Sequence, residues 1–281
     1  MIISASRRTD IPAYYSEWMV NRLREGCAEV RNPMNWNQIS KVDLSPDNVD
    51  CIVFWTKDPE NMLPRLHEID ELGHKYYFQF TLTPYGKDIE PCLRNKEDII
   101  GTFRELSSII GSERVIWRYD PIVLNSSTDE RWHIERFKEL CCSLKGFTDK
   151  CMISFVDMYP KLRKAERNGL LRQIATDEKT RVFDAFKDIA EEYELKLSTC
   201  CEKGMDNGRC VDPERIERII GKTLSINGRV NQRELCNCAN SVDIGAYDSC
   251  ASGCVYCYAN RNPSTSAANF RKHDPANSMI R

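Results

Sequence analysis

The sequence predicts an α/β fold of the TIM-barrel-like kind, a partial (β/α)6 barrel with an irregular cysteine-rich segment at its end. Three observations predict it. Short apolar strands alternate with amphipathic helices through the first two hundred residues, and that alternation implies parallel strands joined by right-handed crossovers. Each strand runs at once into polar or charged residues, as expected where strand ends converge on one mouth. The alternation then stops near Lys222, beyond which Asn, Ser, Gly and Cys replace the apolar runs. A dinucleotide-binding sheet would carry a glycine-rich first turn, but SASRRTD stands there instead.

The elements follow in order. The strand Ile2–Ala5 leads into Ser6-Arg7-Arg8-Thr9-Asp10 and a helix over Tyr14–Leu23. The strand Cys51–Trp55 leads into Thr56-Lys57-Asp58, and Asp58-Pro59-Glu60 puts proline in the first turn of a helix over Asn61–Leu72, where its missing N–H costs nothing. Tyr76–Leu82, with Thr81 and Thr83 at its end, precedes the helix Lys96–Ile110. Arg114–Tyr119 presents Arg118 and Asp120 on one face by the two-residue period of a strand, and Ser127 with Glu130 matches a capping box for the helix Glu130–Leu144. Met152–Val156 ends at Asp157 and Tyr159, before a helix over Glu178–Tyr193. Leu195–Thr199 ends at Cys200 and Glu202, and Asp212-Pro213 opens a last short helix, Pro213–Ile220. The expected division is a barrel over residues 1–221 and a cysteine-rich tail over 222–281 that folds across the mouth, pinned by metal ligation.

Composition narrows the function classes. A chain of 281 residues with 41% hydrophobic residues can bury a full core. The net charge of -2 gives no general attraction to phosphate backbones, so nucleic acid is not the expected partner, although a local basic cleft stays open. No run approaches the roughly 18–20 apolar residues of a membrane helix, and MIISASRRTDIP charges too early for a signal peptide. A cytoplasmic protein without a membrane partner is expected. With only His67, His74, His133 and His273, and no H-E-x-x-H, G-x-S-x-G or phosphate-loop pattern, histidine-based hydrolysis has no support.

The cysteines carry the chemistry that can be read from the residues. Six of the fourteen lie between Cys27 and Cys151 and read as small buried hydrophobes. The other eight gather between Cys200 and Cys257 in turn-rich sequence, and a disulfide scaffold suits a small secreted domain rather than a chain like this. Cys250, Cys254 and Cys257 form C-x3-C-x2-C, with Gly253 permitting a tight turn. Three thiolates so spaced suit a [4Fe-4S] cluster, with zinc as the alternative. Cys236 and Cys238, with Cys200, Cys201 and Cys210, are candidates for a second cluster or a zinc ion, and Cys200 for a fourth ligand of the first. Around them, Arg7, Arg8, Lys57 and Tyr256 are candidate cofactor-binding residues, and Arg118, Asp120, Asp157 and Glu202 candidate catalytic groups. Guanidinium groups suit carboxylate or phosphate recognition.

The C-x3-C-x2-C run with Tyr256 before its last thiol resembles the signature of radical S-adenosylmethionine enzymes, and CVYCYAN is similar to spore photoproduct lyases. Over almost its whole length the chain also resembles the bacterial family DUF1848, through SASRRTDIPA, FWTKDP, WRYDPI, NQRELCNC and SVDIGAYDSC. The first resemblance implies that Cys250, Cys254 and Cys257 hold a [4Fe-4S] cluster and that S-adenosylmethionine chelates its open iron. It implies radical chemistry on a small-molecule or nucleotide substrate, with a reductant such as ferredoxin or flavodoxin. The motif departs from the usual pattern by lying near the end of the sequence given instead of after the first strand, so the tail would have to fold back over the mouth. Two other readings stay open: an iron–sulfur electron-transfer or redox-sensing protein, and a zinc-stapled binding protein.

Overall fold

The structure is a computed structural model that describes residues 1–224 and 235–280. It is an α/β fold around a parallel sheet of β1 (Ile2–Ala5), β4 (Cys51–Thr56), β5 (Tyr76–Thr81), β6 (Val115–Ile122), β7 (Lys150–Phe155), β8 (Lys196–Thr199) and β9 (Val242–Asp243). Between β1 and β4 lie α1 (Ile11–Tyr14), α2 (Ser16–Arg24) and an antiparallel hairpin, β2 (Cys27–Arg31) with β3 (Ile39–Asp43). The helices α3 (Leu66–Glu71), α4 (Lys96–Ile110), α5 (Glu130–Leu144), α6 (Arg163–Arg167) and α7 (Thr176–Glu192) connect successive strands, followed by α8 (Pro213–Ile220) and α9 (Pro263–Lys272).

The strands lie in the order β8-β7-β6-β5-β4-β1-β9, every pair parallel. From β1 to β8 the spatial order is the chain order. Right-handed crossovers in one direction put every connecting helix on the same face. That face carries the larger core: Phe54, Phe78, Phe80, Trp117 and Tyr119 from the strands meet Phe103, Phe137 and Phe186 from α4, α5 and α7. Phe137 and Phe186 stack with centroids 3.8 Å apart, and burying each such ring contributes about 1.5–3 kcal/mol. By the two-residue period of strands, the alternate residues Cys51, Val53, Tyr77, Ile116 and Met152 face the other way. There they are covered by Cys210, Val211, Ile216, Cys238 and Ala239. Among the described residues no ladder joins β8 to β9.

Several local expectations change. The helix expected over Asn61–Leu72 begins as a 3-10 turn over Glu60–Arg65, because Pro64 lies within it and has no N–H to give. The helix expected over Tyr14–Leu23 is found as α2, preceded by the short α1, which is capped by Asp10 accepting from the Ala13 N–H at 3.1 Å. The cap of α5 is Asp129, accepting from the Trp132 N–H at 2.8 Å, in place of the Ser127 box. The hairpin β2–β3 gave no readable alternation because only Ala28 and Val42 of its ten residues are buried. The tail supplies β9, where the Ile244 N–H reaches the Ser4 carbonyl at 3.1 Å. Asn231, Gln232, Arg233 and Glu234 of the NQRELCNC landmark lie outside the described residues.

Candidate functional site

The carboxyl ends of the strands open on a cavity of about 490 Å³. Ser6, Arg7, Arg8 and Asp10 follow β1, Lys57 follows β4, Arg118 and Asp120 come from β6, Asp157 follows β7, and Cys200 and Cys201 follow β8. The tail closes it with Cys236, Cys238, Cys250, Cys254, Tyr256 and Cys257. Every candidate residue named from the sequence lines this space except Glu202, which instead accepts from the Phe155 N–H at 2.9 Å and pairs with Lys179 at 2.9 Å.

The cations are held in different ways. Arg8 is committed to Asp243, with Nε and Nη2 at 3.1 and 3.0 Å from Oδ1. Asp243 also accepts from the Ser6 hydroxyl and the Arg7 N–H, at 2.6 and 2.9 Å. Burial opposes its ionisation, but Arg8 and these hydrogen bonds prevail and keep the carboxyl below its usual range. Lys57 pairs with Glu90 at 2.8 Å, and Lys96, the Tyr256 hydroxyl and Thr83 converge on the same carboxylate. Burial alone would push Glu90 up, yet the two lysines hold it at about 2. The Lys57 N–H donates to Asp10 at 2.7 Å, and burial pushes the Asp10 carboxyl up to about 6.

Arg118 is buried against Asp120, its Nη1 2.9 Å from the Cys210 sulfur and 3.3 Å from Gln79 Oε1. Arg7 has no carboxylate partner among the described residues; its guanidinium lies 4.8 Å from the Trp55 ring centre. Arg118 approaches the same ring at 5.1 Å. The Trp55 Nε1–H is buried without a hydrogen-bond partner among the described residues. Sequence reasoning missed Trp55 as a site residue because it reads as one more apolar strand position; its place in the strand, two residues after Val53, was the available signal. Glu90 was missed too, since nothing in PYGKDIEP marks its carboxylate as the one that meets two lysines.

The cysteines fall into two groups. Cys250 donates to the Ser252 hydroxyl at 3.3 Å. It and Cys254 lie deep among protein atoms, and desolvation pushes the Cys250 thiol up to about 11 and Cys254 well above the thiol range. In the second group the Cys200 and Cys210 sulfurs lie 3.6 Å apart, and Cys238 accepts from the Cys210 and Val211 N–H groups at 3.2 and 3.4 Å. Hydrogen bonds with Cys200 and Cys238, joined by Arg118, hold the Cys210 thiol well below its ordinary range.

This arrangement corrects the metal expectation. Among the described residues no group of three or more His, Cys, Asp or Glu side chains is placed to hold a metal ion. The physical reason lies in what the sulfurs touch: Cys250 turns to the Ser252 hydroxyl, Cys210 to Cys200 and Arg118, and Cys238 to two backbone N–H groups, so no three of them converge on one point. The [4Fe-4S] cluster on Cys250, Cys254 and Cys257 is therefore withdrawn. So is the second cluster or zinc on Cys236 and Cys238 with Cys200, Cys201 and Cys210. The likeness to radical S-adenosylmethionine enzymes and spore photoproduct lyases carries no cofactor site here, and the radical, electron-transfer and zinc-stapled readings fall with the ligand set. The reason for a ferredoxin or flavodoxin reductant goes with them. No helix of the described residues is long and apolar enough to cross a membrane.

Comparison with solved structures finds a β-mannanase from Streptomyces thermolilacinus, 10% identical, covering 86% of this chain and 82% of that one with a TM-score of 0.31. That likeness is too slight to support an argument. A search of curated proteins finds no match. The family model described as a domain of unknown function, DUF1848, matches residues 2–259, including the landmark segments around the cavity, and the chain belongs to that family.

Proposed function

We propose that this protein binds a small anionic organic molecule, a carboxylate or phosphate of metabolite or mononucleotide size, in the cavity at the carboxyl ends of the strands. One observation carries the reading. Two guanidinium groups, Arg7 and Arg118, approach one indole ring at 4.8 and 5.1 Å, and that ring's N–H has no partner among the described residues. Asp120 meets the charge of Arg118, but Arg7 has no carboxylate partner among the described residues, and an anion would supply one. Guanidinium is suited to the task because its planar fork meets two oxygens at once.

The volume of about 490 Å³ falls in the range of small-ligand sites, roughly 300–1,000 Å³. In this reading Arg7 is the main anion contact, since Arg8 is consumed by Asp243 and Lys57 by Glu90. Arg118 supports it, with its charge shared with Asp120. Asp120, Asp157, Trp55 and Tyr256 line the same space. The chain-order sequence of strands supports reading the sheet as a partial (β/α)6 barrel with its mouth here, and the described part of the tail, which supplies Cys236, Cys238, Cys250, Cys254 and Tyr256, as the segment that walls it.

Titration of the purified chain with a panel of mononucleotides, sugar phosphates and dicarboxylates tests the proposal, read by calorimetry. Saturable binding of at least one class is expected. Arg7→Met should weaken it by tenfold or more, since a charge-assisted hydrogen bond contributes about 1.5–3 kcal/mol. Equal binding by the wild type and the variant, or no binding by any anion, would overturn it.

A further inference from the structure

We infer that Cys200 and Cys210 are a built dithiol site, oxidised by a peroxide to an intramolecular disulfide. The inference does not rest on the anion-binding reading. Their sulfurs lie 3.6 Å apart, and a disulfide needs a further approach of about 1.6 Å, within reach of side-chain rotation. Both sulfurs belong to residues lining the cavity, which gives a small oxidant a path. The loop between them is held in place. Asn207 accepts from the Glu202 N–H at 2.7 Å and donates to the Glu202 carbonyl at 2.7 Å, while the Gly208 N–H reaches the Thr199 carbonyl at 2.9 Å. Gly208 is needed there, because a Cβ at that position would come within 2.7 Å of Ser198 Cβ.

The two sulfurs differ in surroundings, and the difference sets their order of reaction. Cys210 has the Arg118 guanidinium at 2.9 Å, which stabilises negative charge on that sulfur. Cys200 has no cation at hydrogen-bond distance among the described residues and sits at the end of β8, nearer the solvent. Cys210 therefore attacks first. Its sulfur takes one peroxide oxygen, the O–O bond breaks, and the other oxygen leaves as hydroxide and takes up the thiol proton to become water. The Cys200 sulfur then attacks the resulting sulfenic acid, the S–O bond breaks, and the departing hydroxide takes the Cys200 proton as a second water. Two thiols and one hydrogen peroxide thus give one disulfide and two waters. Cys201 beside Cys200 and Cys238 beside Cys210 are the competing thiols, and a bond to either in place of Cys200–Cys210 is an outcome the test distinguishes.

The test uses the full chain, reduced, desalted and treated with one equivalent of hydrogen peroxide. The remaining thiols are alkylated in denaturant, and the chain is cut with trypsin, which cleaves after Lys203 and Arg209 between the two cysteines. The expected product is a dithiothreitol-reversible cross-link of Cys200 to Cys210, formed before any other thiol is modified and slowed at least tenfold when the chain is unfolded in urea. In Cys200→Ser, Cys210 should stop at a sulfenic acid that dimedone traps. In Cys210→Ser, Cys200 should remain alkylatable. A cross-link of Cys210 to Cys201, Cys236 or Cys238, with Cys200 and Cys201 told apart by fragmentation of their shared peptide, equal rates in folded and unfolded chains, or oxidation of Cys200 in Cys210→Ser would overturn the inference. If either variant fails to fold, the mapping of the wild-type chain decides alone.

Discussion

Glu90 and Asp10 are carboxylates buried beside the same lysine, and their surroundings drive them in opposite directions. Glu90 meets Lys57, Lys96, Thr83 and the Tyr256 hydroxyl and is held at about 2. Between about 2 and its ordinary 4.5, the unfolded chain binds a proton that the native state refuses. Its contribution to stability is complete above that window and lost as pH falls through it. Glu90→Gln at neutral pH leaves two lysines facing no charge, and a loss of about 3–5 kcal/mol is expected, measured by urea denaturation. Asp10 behaves in reverse. Pushed by burial to about 6 from 3.8, it keeps a proton in the native state that the unfolded chain has already lost. Stability therefore falls as pH rises from about 4 through 6, by on the order of 3 kcal/mol at most. Asp10→Asn, which can still cap α1, should remove that slope. A pH series of urea midpoints checks both, and a slope of unchanged size in Asp10→Asn would contradict the assignment.

At the scale of elements, the docking of the tail on β1 depends on one close approach. A Cβ on Gly245 would meet Ser6 Oγ at 2.1 Å, Ser6 Cβ at 2.6 Å and Thr9 Oγ1 at 2.8 Å, and none of these is the far end of a flexible side chain. Gly245→Ala should therefore push Val242–Asp243 away from β1 and cost about 1–3 kcal/mol. Thermal denaturation reads the cost. Faster hydrogen exchange at the Ile244 amide, whose bond to the Ser4 carbonyl is 3.1 Å, reads its location. The longer strands were legible from the sequence because continuous apolar runs such as CIVFW mark strands buried on both faces. Two-residue β9 was not, since Val242-Asp243 pairs only because the chain order of distant strands leaves β1 an open edge. The hairpin β2–β3 escaped for the opposite reason: with most of its side chains in solvent, packing imposed no period to read.

At the scale of the whole molecule, the chain-order sheet explains why the cavity lies where it does. With the connecting helices on one face, the opposite face must be covered by the chain beyond β8. The described part of that segment supplies Cys210, Val211 and Ile216, then Cys238 and Ala239. The same segment brings the thiols and Tyr256 over the strand ends. Polar residues after each strand were readable one by one, and Arg7, Lys57, Arg118 and Asp157 are found around one space. Glu202 shows where position fails as a guide: it follows a strand like the others, yet turns back to hold the Phe155 N–H and Lys179.

By itself the sequence determined the family, the α/β alternation and the run of charged residues after the strands, because apolar period and chain order are local or cumulative along the chain. Only the tertiary structure decided what the cysteines touch. The spacing of Cys250, Cys254 and Cys257 limits how far apart three sulfurs can be, but not which way each one turns or what it touches. For Cys250 and Cys254 those depend on Ser252 and Lys57, and the other thiols are placed in the same way: Cys210 meets Arg118, and Cys238 meets the N–H groups of Cys210 and Val211. Metal ligation needs several donors directed at one point within a few tenths of an ångström, and that precision is set by packing.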